Sequence, residues 1–572
     1  MKRSTWLTLA LLATAFAVYG ISLRNPLYFD DLTILLGNTW LYKGSFLNWF
    51  VSPFLDFSQN FPGYRPLLMM SFAANVRLLG DSAAAIRIVN LLLHAFNALL
   101  LARILSRLIR DESMKWMAWG AAFLFLLHPI QTLGVNFLWK RSTLLSVFFI
   151  LAGVFWHVRE RQRFAAYRWR SVLAQGLILV VAFFCKEDAL VLGPLLLLVD
   201  LCFFRERKTW LGLSSLALYL LLAALSLLLL WFRLSVVNSW IVVLKQSKAV
   251  DRRGTDRFTY LLFSADVVRR YLLLWLVPKP LLLDDPSPLK SFPWAGLVAY
   301  VLSVVGTVLL VIRFRAKPIV WFALGMFWIG LAPTTGPLPI YLVMDQIRMY
   351  LPLAGLCFLL VFGLDAAARK VRAAPLLLVC AVGVAYGAES FLQNLRYRHP
   401  IAIWGDVLEE YPESGMAWEY MAASMDMAGL EEEKAFAWDM AGRVESGAPI
   451  YRVFQKLMKL EKVSSKERKK GLDAINFSDF NPRQLVNIAT WEAKHGEEKR
   501  AEAHFLEAIG RNPWSFTAHF NLGILSEKLG KLDQARRAFS NALFLAPQDP
   551  RAQAAVKRLG RPAGPPEIVL PH

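Results

Sequence analysis

Runs of about 15 to 23 mostly apolar residues recur along the first ~390 positions: 5–23, 83–102, 116–136, 141–157, 172–186, 188–204, 210–232, 294–312, 318–336, 346–363 and 374–391. Each run, built as a helix, reaches roughly the ~30 Å hydrocarbon thickness of a bilayer, so the pattern predicts an all-α polytopic bundle of eleven spans. A further apolar stretch, 258–277, carries Asp266, Arg269 and Arg270 and ends at Pro278; it is expected to lie in the plane of the outer membrane face rather than to cross. Past His399 the pattern changes to soluble, helical sequence with an internal period. Leu485, Ile488, Ala489, Gly496, Ala501, Phe505, Ala508 and Pro513 recur 34 residues later as His519, Leu522, Gly523, Gly530, Ala535, Phe539, Ala542 and Pro547. Small residues where two helices touch, Phe between repeats and Pro after the second helix are the tetratricopeptide pattern. A looser copy is expected around Met421-Ala422, Gly429 and Ala441, and 446–480 is degenerate. The expected domains are 1–395 in the membrane, with outer loops 24–82 and 233–293, repeats over 400–560, and a tail at 561–572.

Charge orients this picture. The chain has 64 Lys and Arg against 43 Asp and Glu, a net +21, which would fit nucleic acid if the cations formed one patch. They fall instead in short loops: Arg103, Arg107, Arg110 and Lys115; 159–170; Arg205, Arg207 and Lys208; Arg313, Arg315 and Lys317; Arg369, Lys370 and Arg372. By the positive-inside rule these clusters all agree with a cytoplasmic N-terminus and a tail outside the cytoplasm, and no nucleic-acid partner is expected. Met1-Lys2-Arg3 before an apolar run resembles a signal peptide, but the run is long enough to span and reads as an uncleaved first helix. The four cysteines all lie in or beside apolar runs, so no disulfide framework or zinc site is expected.

Candidate chemistry gathers on the outer side. Asp30 and Asp31 follow the first span; they fit either an N-cap for a helix over 32–43 or a general base held at the membrane face. Arg65 suits a phosphate, an ion pair with Asp30 or Asp31, or snorkelling to the interface. Asn90, His94 and Asn97 share one face of the second span and must point into the bundle, because lipid offers no polar partner; His94 fits a packing donor or a base. His128-Pro129 breaks the third span. Arg141 and the turn Lys186-Glu187-Asp188 open on the same side as Asp30, which makes Arg141 and Lys186 candidates to hold a phosphate. Arg348 adds a cation there, unless it only pairs with Asp345 three residues before it. No phosphate-cradling Gly loop, zinc-protease helix motif or nucleophile elbow occurs.

Taken in order, Phe29-Asp30-Asp31, Tyr64-Arg65-Pro66-Leu67, the segment from Asn90 through His94 to Asn97, His128-Pro129-Ile130 with Arg141, Lys186-Glu187, and Tyr350-Leu351-Pro352 before Gly355 resemble the GT-C superfamily of polyprenyl-phosphate-sugar-dependent glycosyltransferases. With the repeats, the likeness is to the transmembrane-and-tetratricopeptide O-mannosyltransferase family and its bacterial relatives. Gln346-Ile347-Arg348 and Leu133 depart from the family's usual acidic positions. The resemblance implies that Asp30 or Asp31 is the catalytic base, that Arg65, Arg141, Lys186 and Arg348 bind the donor phosphate, and that His94, Asn97, His128 and Glu187 support them. It further implies a polyprenyl-phosphate sugar as donor, a protein acceptor met by the repeats, lipid contact around the bundle, and no cofactor or essential metal. The expected setting is a bacterial inner membrane with the repeats in the periplasm. Two alternatives stay open: glycosylation of a lipid or polysaccharide, and a non-catalytic scaffold.

Overall fold

A computed structural model describes residues 3–28, 64–164, 167–204, 212–236, 257–283, 293–335 and 344–412, then 414–428, 482–511, 515–545 and 549–560, with short stretches between. Among the described residues the ordered elements are helices. The chain divides into two compact units, residues 1–28 with 64–412, and residues 29–63 with 413–572.

The first unit contains α1 (Arg3–Tyr19), α2 (Pro66–Leu79), α3 (Ala83–Leu108), α4 (Trp116–Leu127), α5 (Arg141–Arg163), α6 (Trp169–Cys185), α7 (Leu192–Val199), α8 (Leu213–Val236), α9 (Arg257–Leu276), α10 (Pro293–Arg313), α11 (Pro318–Leu331), α12 (Pro352–Lys370), α13 (Pro375–Arg396) and α14 (Pro400–Glu410). Six of these begin on Pro, whose missing N–H is harmless in a helix's first turn. Many carry Arg or Lys in the last turn, as in α3, α5, α8, α10, α12 and α13, where a cation meets the negative end of the helix dipole.

Seven described helices are long and apolar enough to cross a membrane, and an eighth if the bent pair Glu112–Leu127 and Pro129–Asn136 is one span. The chain is a multi-pass membrane protein. The eleven expected runs do not all become long helices. Pro129 bends the third run by 52°, since a proline cannot continue the hydrogen-bond ladder. The run 188–204 splits into a 3-10 turn (Glu187–Val191), α7, and a π-helical turn (Asp200–Phe204). The apolar helices Pro66–Leu79, Trp169–Cys185 and Pro318–Thr334 are shorter than 18 residues. The stretch expected in-plane is the 20-residue α9, paired along its length with α10. Gly296 permits that pairing: a Cβ there would lie 2.8 Å from the Asp266 backbone. α10 otherwise turns Val298, Leu302, Val308, Leu309 and Ile312 outward, as an apolar helix can when its solvent is lipid.

The core is built on α3, which packs against α1, α2, α4 and α5, while α12 joins α4, α11 and α13. At Gly355 the α11 backbone comes so close that a Cβ would lie 2.2 Å from the Ala323 carbonyl oxygen. Small residues let membrane helices approach in this way.

The second unit holds short helices at Trp40–Lys43 and Asn48–Val51, α15 (Gly415–Met427), and the repeats α16 (Pro482–Lys494), α17 (Glu498–Arg511), α18 (Phe516–Lys528), α19 (Leu532–Leu545) and α20 (Pro550–Leu559). Antiparallel pairs α16–α17 and α18–α19 stack through α17 and α18. Ala489, Ala501, Phe505, Ala508, Ala535, Phe539 and Ala542 are all buried, as the 34-residue period requires. Gly496 and Gly530, one period apart, turn between helices at φ +84° and +72°, a conformation that costs glycine nothing. Of the looser copy, Ala422 is buried in α15, while Gly429 and Ala441 lie outside the described residues, as does most of 446–480. α14, counted with the repeats from sequence, groups with the membrane unit.

Candidate functional site

The turn between α6 and α7 is a hub of charge. Glu187 receives two guanidinium groups: Arg65, which precedes α2, donates through Nη2 at 3.1 Å, and Arg233, from the last turn of α8, donates through Nη1 at 2.8 Å. Arg65 also lies 5.2 Å from the Trp139 ring centroid and reaches the Ser142 hydroxyl at 3.4 Å. Lys186 donates to Thr143 Oγ1 at 3.0 Å and pairs with Asp188 at 2.5 Å. Burial pushes the Glu187 carboxyl up, but Arg233, Arg65 and Lys186 outweigh it and hold the pKa well below the carboxylate range. Glu187 is therefore an ionised brace and not an acid-base group.

Arg348 shares a cavity with Lys186, walled also by Thr143, Ser146, Asp188 and Gly330. Asp345 caps the turn Gln346–Met349 and bonds Lys140 at 2.7 Å, so it answers a lysine as well as Arg348. Despite burial, Lys140 and Arg348 lower the Asp345 pKa to about 2. Among the described residues Arg65, Arg233, Lys186, Lys140 and Arg348 thus stand with Glu187, Asp188 and Asp345, five cations to three carboxylates. That excess can stabilise an anion.

Arg141 is placed differently from the other phosphate candidates. It is fully buried, donating to Asn90 Oδ1 (2.7 Å), Asn75 Oδ1 (2.9 Å) and the Ile86 carbonyl (2.7 Å), over the face of Phe72. Its hydrogens tie α5 to α2 and α3. His94 and Asn97 are also buried, and they meet at the Tyr350 hydroxyl, 2.7 Å from His94 Nδ1 and 3.2 Å from Asn97 Nδ2. His94 Nε2 faces the Leu126 carbonyl at 3.1 Å. A carbonyl only accepts, so Nε2 carries the hydrogen and Nδ1 accepts from Tyr350. His128 obeys the same logic: Nε2 donates to the Trp275 carbonyl at 3.0 Å, and Nδ1 accepts from the Ile130 N–H, which caps the bend at Pro129. These three residues lock helices together below the charged turn.

Asp30 lies outside the described residues. Asp31 is described and buried, 1% exposed. The chain leading to them is fixed by a residue the sequence reading did not single out. Arg87, fully buried in α3, donates to the carbonyls of Asn25, Pro26 and Asn136 and lies 5.6 Å from the Tyr28 ring centroid. Asn25 Nδ2 donates to Asn136 Oδ1 at 2.7 Å, and Asn136 Nδ2 donates to Asn394 Oδ1 at 2.6 Å, so the exit of the first span is tied to the bent pair and to α13. Arg233 was missed as well. Arg87 stands inside an apolar run, where an ionisable residue is itself a signal; Arg233 sits one residue beyond a run and carries none.

Residues 493–559 match the tetratricopeptide repeat family model. Over 459 residues, 73% of this chain and 49% of the relative, the sequence is 23% identical to the Homo sapiens protein O-mannosyl-transferase TMTC3. The Mus musculus TMTC3 is 26% identical over 185 residues, 32% of this chain and 20% of that protein; the Mus musculus TMTC1 is 28% identical over 189 residues, again 32% and 20%. The chain spans about half the length, or less, of the curated relatives it matches. The resemblance to the transmembrane-and-tetratricopeptide O-mannosyltransferase family is borne out by these similarities.

Proposed function

We propose that this protein is an inverting GT-C glycosyltransferase that moves one sugar, mannose or another hexose, from a polyprenyl phosphate to a Ser or Thr hydroxyl of a protein. Asp30 or Asp31 takes the hydroxyl proton as the oxygen attacks the anomeric carbon; the bond from that carbon to the phosphate oxygen breaks, and its electron pair leaves with the polyprenyl phosphate. A sugar-phosphate diester with one negative charge becomes a monoester approaching two, so the departing group gains charge as the bond breaks. The observation that carries the reading is the joining of Arg65 and Lys186 at one turn with Arg348 on the shared cavity, a cation excess where a leaving phosphate needs it. Arg141 serves this site by holding the start of α5 in place. No metal is needed by a one-phosphate donor in such a setting.

The repeats recruit or orient the acceptor, and the enzyme sits in a bacterial inner membrane with its N-terminus cytoplasmic and its repeats periplasmic. The experiment is transfer from radiolabelled polyprenyl-phosphate hexoses to periplasmic proteins by the reconstituted protein, beside Asp30→Asn and Asp31→Asn. Label entering protein, and lost in one variant, supports the reaction and selects the base. Label entering only lipid or polysaccharide makes those the acceptor. If neither substitution changes a cellular phenotype that repeat deletion abolishes, the protein is a scaffold.

A further inference from the structure

The start of α5 presents a ladder of hydroxyls. Ser142 meets Arg65, and Thr143 accepts from Lys186. Ser146, the third rung, lies one turn further on. It is fully buried, yet its Oγ has no hydrogen-bond partner among the described residues. A buried hydroxyl left unsatisfied is destabilising, so a native structure that keeps one calls for a reason.

Ser146 lines the cavity that Lys186 and Arg348 share, a space of about 20 Å³. That is room for roughly one oxygen-sized group. Its polar walls are Ser146, Thr143, the two cations and Asp188, whose carboxylate already pairs with Lys186. The cavity runs along one side of α5, whose Thr143, Ser146 and Val147 line it. A hydroxyl hydrogen and two cations against one carboxylate, in a space for one atom, suit a single anionic oxygen.

We infer that Ser146 is a donor-binding residue, its hydroxyl donating to one non-bridging oxygen of the carrier phosphate seated between Lys186 and Arg348. This rests on the glycosyltransferase reading and adds to it the group that fixes the phosphate's orientation. A hydrogen bond to an anion is among the stronger kinds, so its loss weakens phosphate binding about tenfold or more.

The test uses the full chain in phosphatidylglycerol–phosphatidylethanolamine vesicles and measures equilibrium binding of undecaprenyl phosphate and of undecaprenol, which lacks the phosphate. The inference expects Ser146→Ala to weaken the phosphate about tenfold and leave the alcohol unchanged, Ser146→Thr to retain binding, and Ser146→Val to fill the space and bind more weakly than Ala. In transfer assays Ser146→Ala raises the donor KM and leaves the acceptor KM unchanged. Equal phosphate binding by wild type and Ser146→Ala, with higher thermal stability in the variant, would mean that the space holds water or nothing, and overturns the inference. Binding that depends on Ser146 without any sugar transfer keeps the pocket and defeats the glycosyltransferase reading. A wild type that does not prefer the phosphate to the alcohol overturns the pocket itself.

Discussion

Replacing Asp200 with Asn should be the most damaging isosteric change in the membrane unit. Asp200 is fully buried in the π-helical turn after α7. Its Oδ1 accepts from His157 Nε2 and Arg161 Nε, both at 2.9 Å; its Oδ2 accepts from the Tyr219 hydroxyl at 2.5 Å and from Arg161 Nη2. Arg161, 2% exposed, spends Nη1 on Ser215 at 2.9 Å and lies 4.9 Å from the Tyr167 ring centroid. Asn keeps the shape but removes the charge and turns an N–H₂ toward groups that are themselves donors. Arg161 then loses its buried counter-charge, and breaking such a pair costs about 3–5 kcal/mol. Removing both charges in Arg161→Met/Asp200→Leu leaves no uncompensated ion. The double variant should therefore cost less than the two single ones summed, with a coupling of about 2–3 kcal/mol. Unfolding in mixed micelles of rising dodecyl sulfate content, followed by Trp fluorescence, measures all four species. An Asp200→Asn protein within about 0.5 kcal/mol of wild type, or strict additivity, would refute the claim that this cluster is a dry, charge-compensated joint.

Arg87→Lys should lower kcat about tenfold at unchanged donor KM, because one ammonium cannot reproduce the planar fork that meets three carbonyls at the exit of the first span; a rise in donor KM with kcat intact would contradict it. Gly355→Ala drives a Cβ to 2.2 Å from a backbone oxygen and should cost about 1–3 kcal/mol by overpacking, read as a lower apparent melting temperature. Gly523→Ala meets first the Phe539 ring, at 2.7 Å, and the preceding repeat already carries Ala489 there, so it should shift melting far less. For Asp345 the folded pKa lies below the unfolded value of ~3.9, so its bond to Lys140 contributes fully above about pH 5 and is lost as pH falls toward about 2. The melting temperature of Asp345→Asn relative to wild type should thus be lower and parallel from pH 6 to 8, and converge only in acid.

The fold was legible where a pattern repeats. Apolar length gave the bundle, and the 34-residue period gave the repeats, down to Gly496 and Gly530. Breaks inside apolar runs were less so. Pro129 announced its bend, but the π-helical turn at Asp200 has no local signature, because it exists to serve partners 19 to 43 residues away. Arg65, Lys186, Glu187 and Arg348, singled out by their order along the chain, gather around one charged turn, whereas the division of labour among them was not legible. Sequence cannot say whether an arginine's donors are free or spent, and Arg141, which reads like Arg65, spends its own on asparagines and a carbonyl. Nor can it show that Asp345 turns to Lys140, 205 residues away.

The segment between α6 and α8 shows why these clusters occur in pairs. It carries Glu187 at its start and Asp200 at its end, and α8 answers both: Arg233 reaches Glu187, while Ser215 and Tyr219 join the Asp200 cluster. α5 does the same, with Ser142 and Thr143 near the turn and His157 and Arg161 at its other end. Apolar packing between helices in lipid is weakly directional, since lipid tails compete for the same contacts. Polar ties at both ends fix register and rotation, and so hold the cations of the charged turn in place. Loosening the Asp200 end should therefore be felt at Lys186: a mild variant there, Tyr219→Phe, should lower transfer without touching any residue of the charged turn. Unchanged kinetics in a Tyr219→Phe protein of reduced stability would show the two ends to be independent.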